Sequence, residues 1–225
     1  MGATFLPVKL DVRLCLVKKR TYQLKQRAER QAATRGRIVE ATMALHTSVG
    51  PSKTTISGIA ELAGVQRQTV YAHFPDEEVL FGACTSHWAM LYPFPDPATW
   101  ESVKEPGRRL VAALTAIYGW YESVEDHLTL FRRDAAFIPA AIVAQQEERD
   151  RQLVAALAAA FPRRKLVRVA IAHALEFEIW KSLRHKDLSS SAAAELMTRL
   201  VTCVADNAAP RVKGEAADRS VPNPP

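Results

Sequence analysis

The segment Thr54-Thr55-Ile56-Ser57-Gly58-Ile59-Ala60-Glu61-Leu62-Ala63-Gly64-Val65-Gln66-Arg67-Gln68-Thr69-Val70-Tyr71-Ala72-His73-Phe74 decides how this chain folds. Ile56, Ile59, Ala60 and Ala63 recur at helical steps on one face of a short helix, which Gly64 ends and Thr54 is placed to cap. A further helix follows over Arg67–His73 and is closed by Phe74-Pro75, because proline disfavours helical backbone at the residue before it. Two short helices joined by a tight turn cross steeply, so Gly64 at the bend is expected to avoid a Cβ clash while Ala60 lets the helices approach. Val65 and Val70 then fill the small core between them.

What remains on the outer face of the later helix is Gln66, Arg67, Gln68, Thr69, Tyr71 and His73, a set of hydrogen-bond donors with little apolar content. A buried helix would not carry that set. An α-helix fits the DNA major groove, where arginine pairs with guanine and glutamine with adenine, while hydroxyls and histidine hold phosphate oxygens.

Outward from this segment the pattern stays helical. A first helix is expected from about Gln31, with Ile38, Ala41 and Leu45 on one face and Gly50-Pro51 at its end. Asp76 can cap a fourth helix that opens with Glu77 and Glu78, where the helix dipole favours negative charge, and runs through Leu80, Phe81 and Cys84 to Trp88. Pro93, Pro95 and Pro97 then interrupt any helix. Longer helices are expected over 106–124, 127–137, 139–160, 164–186 and 190–207.

Residues 1–20 alternate as a strand would, with Val8, Leu10, Val12, Leu14 and Leu16 on one side, but nothing is placed to pair with them, so a poorly ordered leader is expected. The reading is an all-α protein: a basic arm over 1–30, a three-helix helix-turn-helix domain over 31–88, a helical bundle for ligand binding and dimerisation over 89–207, and a proline-rich disordered tail over 208–225.

Residues 31–88 resemble the DNA-binding domain of the tetracycline-repressor-like (TetR/AcrR) regulators, through the Thr-Thr-Ile start, Ile59-Ala60, Ala63-Gly64-Val65, Thr69-Val70-Tyr71, His73-Phe74 and Leu80. The resemblance implies that Arg67 and Gln68 face bases and that Thr55, Thr69, Tyr71 and His73 lie at or near phosphate. It also implies a homodimer on double-stranded operator DNA, most simply a repressor released by a small apolar or aromatic effector. The same fold without an effector, as an architectural or protein-recruited factor, is the alternative. Three positions depart from the family pattern: Gln66 replaces a small capping hydroxyl residue, Gly58 stands where a charge is common, and Glu77 stands where Lys or Arg often meets the DNA backbone.

Charge agrees with this reading. Of the 225 residues, 1–87 hold 12 Lys/Arg against 7 Asp/Glu, whereas 88–225 hold 18 against 17. Lys18, Lys19, Arg20, Lys25, Arg27, Arg30, Arg35 and Arg37 gather just ahead of the helix-turn-helix, a distribution suited to a polyanion.

In the second half, the helix expected over 164–186 carries one apolar row of Val167, Ile171, Leu175, Ile179 and Leu183 and another of Leu166, Val169, Ala170, His173, Phe177 and Trp180. Two apolar faces need two neighbours, so one is expected to face the core and the other a second subunit, joined by Leu196, Met197, Leu200, Val201 and Val204 of the last helix. Trp120, Phe131, His173 and Trp180 are the candidate lining of an apolar effector pocket.

Catalysis, a metal and a cofactor are not expected. His173, Glu176 and Glu178 are close in sequence but form no Glu-x-x-His pair, and there is no phosphate loop or nucleophile motif. Cys15, Cys84 and Cys203 are an odd, scattered set that suits a reducing cytoplasm, and no apolar run suits a membrane span or a signal peptide.

Overall fold

The computed structural model describes residues 12–162 and 165–207, with side chains from Tyr22 onward. The readings made for residues 1–11 and 208–225 lie outside that range. All regular structure among the described residues is helical: α1 (Val12–Ser48), a 3-10 turn (Pro51–Lys53), α2 (Ile56–Ala63), α3 (Arg67–His73), α4 (Glu77–Leu91), α5 (Ala98–Glu101), α6 (Pro106–Ser123), α7 (Glu125–Arg133), a second 3-10 turn (Ala135–Phe137), α8 (Ala140–Ala158), α9 (Lys165–Ala174), α10 (Phe177–Arg184) and α11 (Ser190–Asn207). No helix among the described residues is long and apolar enough to cross a membrane.

The chain forms two compact units that do not follow a single cut along the sequence. One takes the described residues up to Pro93 together with Val124–Ala144; the other takes Phe94–Ser123 and the described residues from Gln145 onward.

In the first unit α1 packs on α2, α4 and α7. Ile38, Val39 and Ala41 of α1 close on Ile59, Ala60 and Ala63 of α2, Val70 of α3, Phe74 and Leu80, with Leu45, Ile56, Val65 and Ala83 at the margin. α1 begins far upstream of Gln31, and the Val12, Leu14 and Leu16 alternation falls inside it rather than in a strand. Residues 22–33 are almost all exposed, so helical periodicity of apolar residues gave no signal there. The helix rests on propensity: 12–35 contains no glycine or proline and is rich in Gln, Lys, Arg, Leu and Ala.

In the second unit Leu110, Ala113, Leu114, Ile117 and Tyr118 of α6 bury against Val167, Ile171 and Ala174 of α9, Phe177 and Trp180 of α10, and Ala193, Ala194, Met197 and Val201 of α11. The single helix expected over 164–186 is broken at Leu175-Glu176, with Glu176 in extended backbone at φ −71°, ψ 130°. Hydroxyls explain the break: Tyr118 donates to the Ala174 carbonyl and Tyr121 to the Leu175 carbonyl, both at 2.6 Å, satisfying acceptors at the end of α9. The break rotates the rows apart. Phe177 and Trp180 turn into the core, while Leu166 and Val169, from the same expected row, remain exposed.

Candidate nucleic-acid interface

Helix α2 starts one residue later than its sequence suggests. Thr55, at φ −122° and ψ 151°, is the cap and accepts from the Gly58 N–H at 3.1 Å, whereas Thr54 donates its hydroxyl to the Gly50 carbonyl at 2.9 Å. At the other end Gly64 has left-handed backbone, φ 64° and ψ 42°; its N–H meets the Glu61 carbonyl and the Val65 N–H meets the Ala60 carbonyl. This closure requires positive φ, so glycine is favoured for its backbone. The expected Cβ clash is absent: a Cβ there would touch only Arg37 Nη1 at 3.7 Å, an ordinary contact.

The turn aims α3. Val70 is fully buried and Phe74 is 2% exposed, so the i, i+4 pair fixes the underside of the helix. The Arg35 guanidinium lies 4.5 Å from the Phe74 ring centroid and covers it from outside. Gln66, Arg67, Gln68 and Tyr71 are exposed, with Thr69 and His73 half-buried. The residues singled out on α3 are all at least partly exposed, and Arg67 and Tyr71, four residues apart, line one recess with Thr55 at the start of α2.

Gln66 occupies the N-cap of α3 in extended backbone without a side-chain capping bond, the structural counterpart of the missing capping hydroxyl. Gln66→Ser supplies a side-chain oxygen for a first-turn N–H group and is expected to raise stability by about 1 kcal/mol. An unchanged or lower urea midpoint would refute that assignment.

Asp76 caps α4 by accepting from the Val79 N–H at 2.8 Å. Glu77 is exposed at the first position of α4 and puts negative charge where a helix N-terminus would otherwise attract phosphate.

Two polar arrangements tie the helix-turn-helix to its neighbours in the first unit. Gly50, at φ 94° and ψ 161°, passes against Arg133 and Asp134 just beyond α7. Arg133 donates to the Val49 carbonyl at 2.8 Å and to the Asp134 carboxylate, which also accepts from the Ser52 N–H at 3.0 Å. The Arg133 guanidinium beside it, aided by Ser52, holds the Asp134 carboxyl well below the usual range. The second arrangement joins α1 to α4: His46, 5% exposed, lies 3.6 Å through Nδ1 from Cys84 Sγ. Burial lowers the His46 pKa to about 4 and pushes the Cys84 thiol up to about 12. The thiol therefore keeps its proton and the imidazole is neutral, so the contact joins two uncharged groups.

The four candidate effector residues are divided between the two units, and within the second Trp120 and Trp180 both meet the Tyr121 ring, at centroid distances of 5.6 and 5.8 Å. Phe131 belongs to the first unit, where its ring meets His46 and Phe81 at 6.1 and 6.0 Å. Trp180 is fully buried and donates its indole N–H to Ser190 Oγ at 3.1 Å. His173 is exposed, 3.6 Å from Glu176. Trp120 is half-buried in an aromatic cluster with Phe94 and Tyr121, ring centroids 5.2 and 5.6 Å apart. Sequence reasoning did not single out Phe94, which lies in the proline-rich break, and took Arg37, which lies over the α2–α3 turn, only as one of a basic cluster.

Residues 38–84 match the family described as bacterial regulatory proteins, tetR family. The fold is similar to that of a TetR-like transcriptional regulator from Rhodococcus sp. RHA1, at 17% identity and TM-score 0.52, over 75% of this chain and 93% of that one. It is similar too to another transcriptional regulator from Rhodococcus sp. Rha1, at 18% identity and TM-score 0.53, over 76% of this chain and 97% of that one. No curated protein matches the sequence. Residues 38–84, which hold the helix-turn-helix, are therefore a domain of the family described as bacterial regulatory proteins, tetR family, within a chain whose fold is like that of TetR-like regulators.

Proposed function

We propose that the protein is a homodimeric repressor that reads a palindromic operator with α3 and is released by a small apolar or aromatic ligand. The observation that carries the reading is the exposure of α3: Val70 and the following Phe74 anchor it in the core, while Gln66, Arg67, Gln68 and Tyr71 are exposed polar side chains. Arg67 and Gln68 are assigned to base edges, and Thr55, Gln66, Thr69, Tyr71 and His73 to phosphates or the groove margin.

Dimerisation is supported by unpartnered apolar side chains on two helices that pack together, Leu166 and Val169 on α9 and Leu196 and Leu200 on α11. A two-fold dimer presents its reading helices about 34–36 Å apart, one turn of duplex, which is why a palindrome is expected. For the ligand, the half-buried Trp120, Phe94 and Tyr121 cluster offers aromatic faces, with Arg149 5.6 Å from the Phe94 centroid. A ligand that releases the operator must lose affinity by the same factor when operator is present. Equal affinity with and without operator excludes release.

Selecting duplexes from a random pool at fixed salt tests the DNA reading. The selected site is expected to be two-fold symmetric. Arg67→Ala should cost about 10- to 100-fold on it and relax preference at one position per half-site, whereas Tyr71→Phe should weaken all sequences evenly. If both variants keep wild-type affinity, α3 does not read DNA.

A further inference from the structure

Helix α1 continues upstream of the compact body as an exposed basic rod. Between Tyr22 and Arg37 it carries Lys25, Arg27, Arg30, Arg35 and Arg37 against Glu29 alone, and residues 22–33 are almost entirely exposed. Gln23, Arg27, Arg30, Thr34 and Arg37 are spaced by four, three, four and three residues, so they form one stripe along the helix.

The next position of that stripe is Ala41, which is buried in the core with Ile59, Ala60 and Ala63 of α2. The stripe therefore leaves the body on the side where α2 packs, and Arg37 Nη1 already lies over Gly64, at the turn into α3. The arginines overhang the side of the unit that carries the helix-turn-helix.

We propose that this stripe is a second DNA-contact element, in which Arg27 and Arg30 hold backbone phosphates of the duplex flanking the sequence read by α3. The inference rests on the DNA reading proposed above. Charge and shape select the partner. Tyr22 and Leu24, the large apolar residues of this stretch, are 66% and 60% exposed and two positions apart, hence on opposite faces. They make no apolar seam for a partner helix or a lipid surface. The rod from Tyr22 to Arg37 rises about 22 Å, the axial length of about six base pairs.

The experiment compares two duplexes carrying the same selected site, one ending at its edges and one extended by about ten base pairs on each side, a margin that exceeds the reach of the rod. Wild-type protein and R27Q/R30Q are titrated over a salt series, glutamine keeping helix propensity without charge. The wild type should prefer the longer duplex by at least about tenfold at low salt, with a log–log salt slope steeper by about two per protomer. R27Q/R30Q should lose that preference and the added slope while binding the short duplex as before with the same base preference.

Equal slopes and no length preference in the wild type would overturn the inference. So would a variant that loses both duplexes to the same degree, or one whose DNA binding is unchanged while its attachment to phosphatidylserine vesicles disappears. Failure of wild type on the short duplex counts instead against the reading role of α3, so the two failures are distinguishable.

Discussion

Gly50→Ala should destabilise the protein by about 3 kcal/mol or more, the sum of a Gly-only backbone and an overpacked site. At φ 94° and ψ 161° the residue sits where L side chains are essentially excluded. Its Cβ would also run into the Arg133 guanidinium and the Asp134 carboxylate. Neither neighbour can yield cheaply, because Arg133 is held by the Val49 carbonyl and Asp134 by the Ser52 N–H. Opening the clamp would take from the Val49 carbonyl and the Ser52 N–H, in the connection that leads into α2, their side-chain partners. Urea unfolding checks the expectation: the midpoint should fall sharply, and a wild-type midpoint would show that the α1–α2 connection tolerates another course. Asp134 adds a pH dependence of known sign. Its depressed pKa means the clamp is fully present above the ordinary carboxylate range and is lost as pH falls below it.

His46 should give the protein a second and earlier acid limb. Burial holds its imidazole neutral down to about pH 4, whereas in the unfolded chain it protonates near its ordinary value of 6.5. Between those values the unfolded state binds more protons, so stability is complete above pH 6.5 and declines as pH falls toward 4. The loss over that window is about 3 kcal/mol. Fluorescence-detected urea titrations at pH 7 and pH 4.5, run on wild type and His46→Leu, isolate it. The variant should show a clearly shallower acid dependence whatever its stability at neutral pH, and parallel curves would remove His46 from the account.

The helix-turn-helix was legible because its signals are local. Gly64 ends α2 with a backbone conformation that favours glycine, Asp76 caps α4 from three residues away, and Val70 marks the inner side of α3. The error at Thr54 and Thr55 is of the same local kind, two adjacent threonines of which only the second reaches the Gly58 N–H. What escaped the sequence is set by distant partners. The break between α9 and α10 is satisfied by hydroxyls from Tyr118 and Tyr121, 56 and 54 residues away. The association of 124–144 with the first unit runs through contacts such as Asp134 to Ser52, 82 residues apart. The surroundings of the effector candidates are likewise set by residues distant in sequence: Phe131 meets His46, and Trp180 is buried in the core of the second unit.

The most direct test is amide hydrogen exchange on the full-length protein with and without a selected duplex. New protection should concentrate at the start of α2 around Thr55 and over Gln66–His73, with the buried faces of α6 and α11 unchanged. Protection that leaves Gln66–His73 untouched while the duplex is bound would contradict the assignment of α3 as the helix that enters the groove.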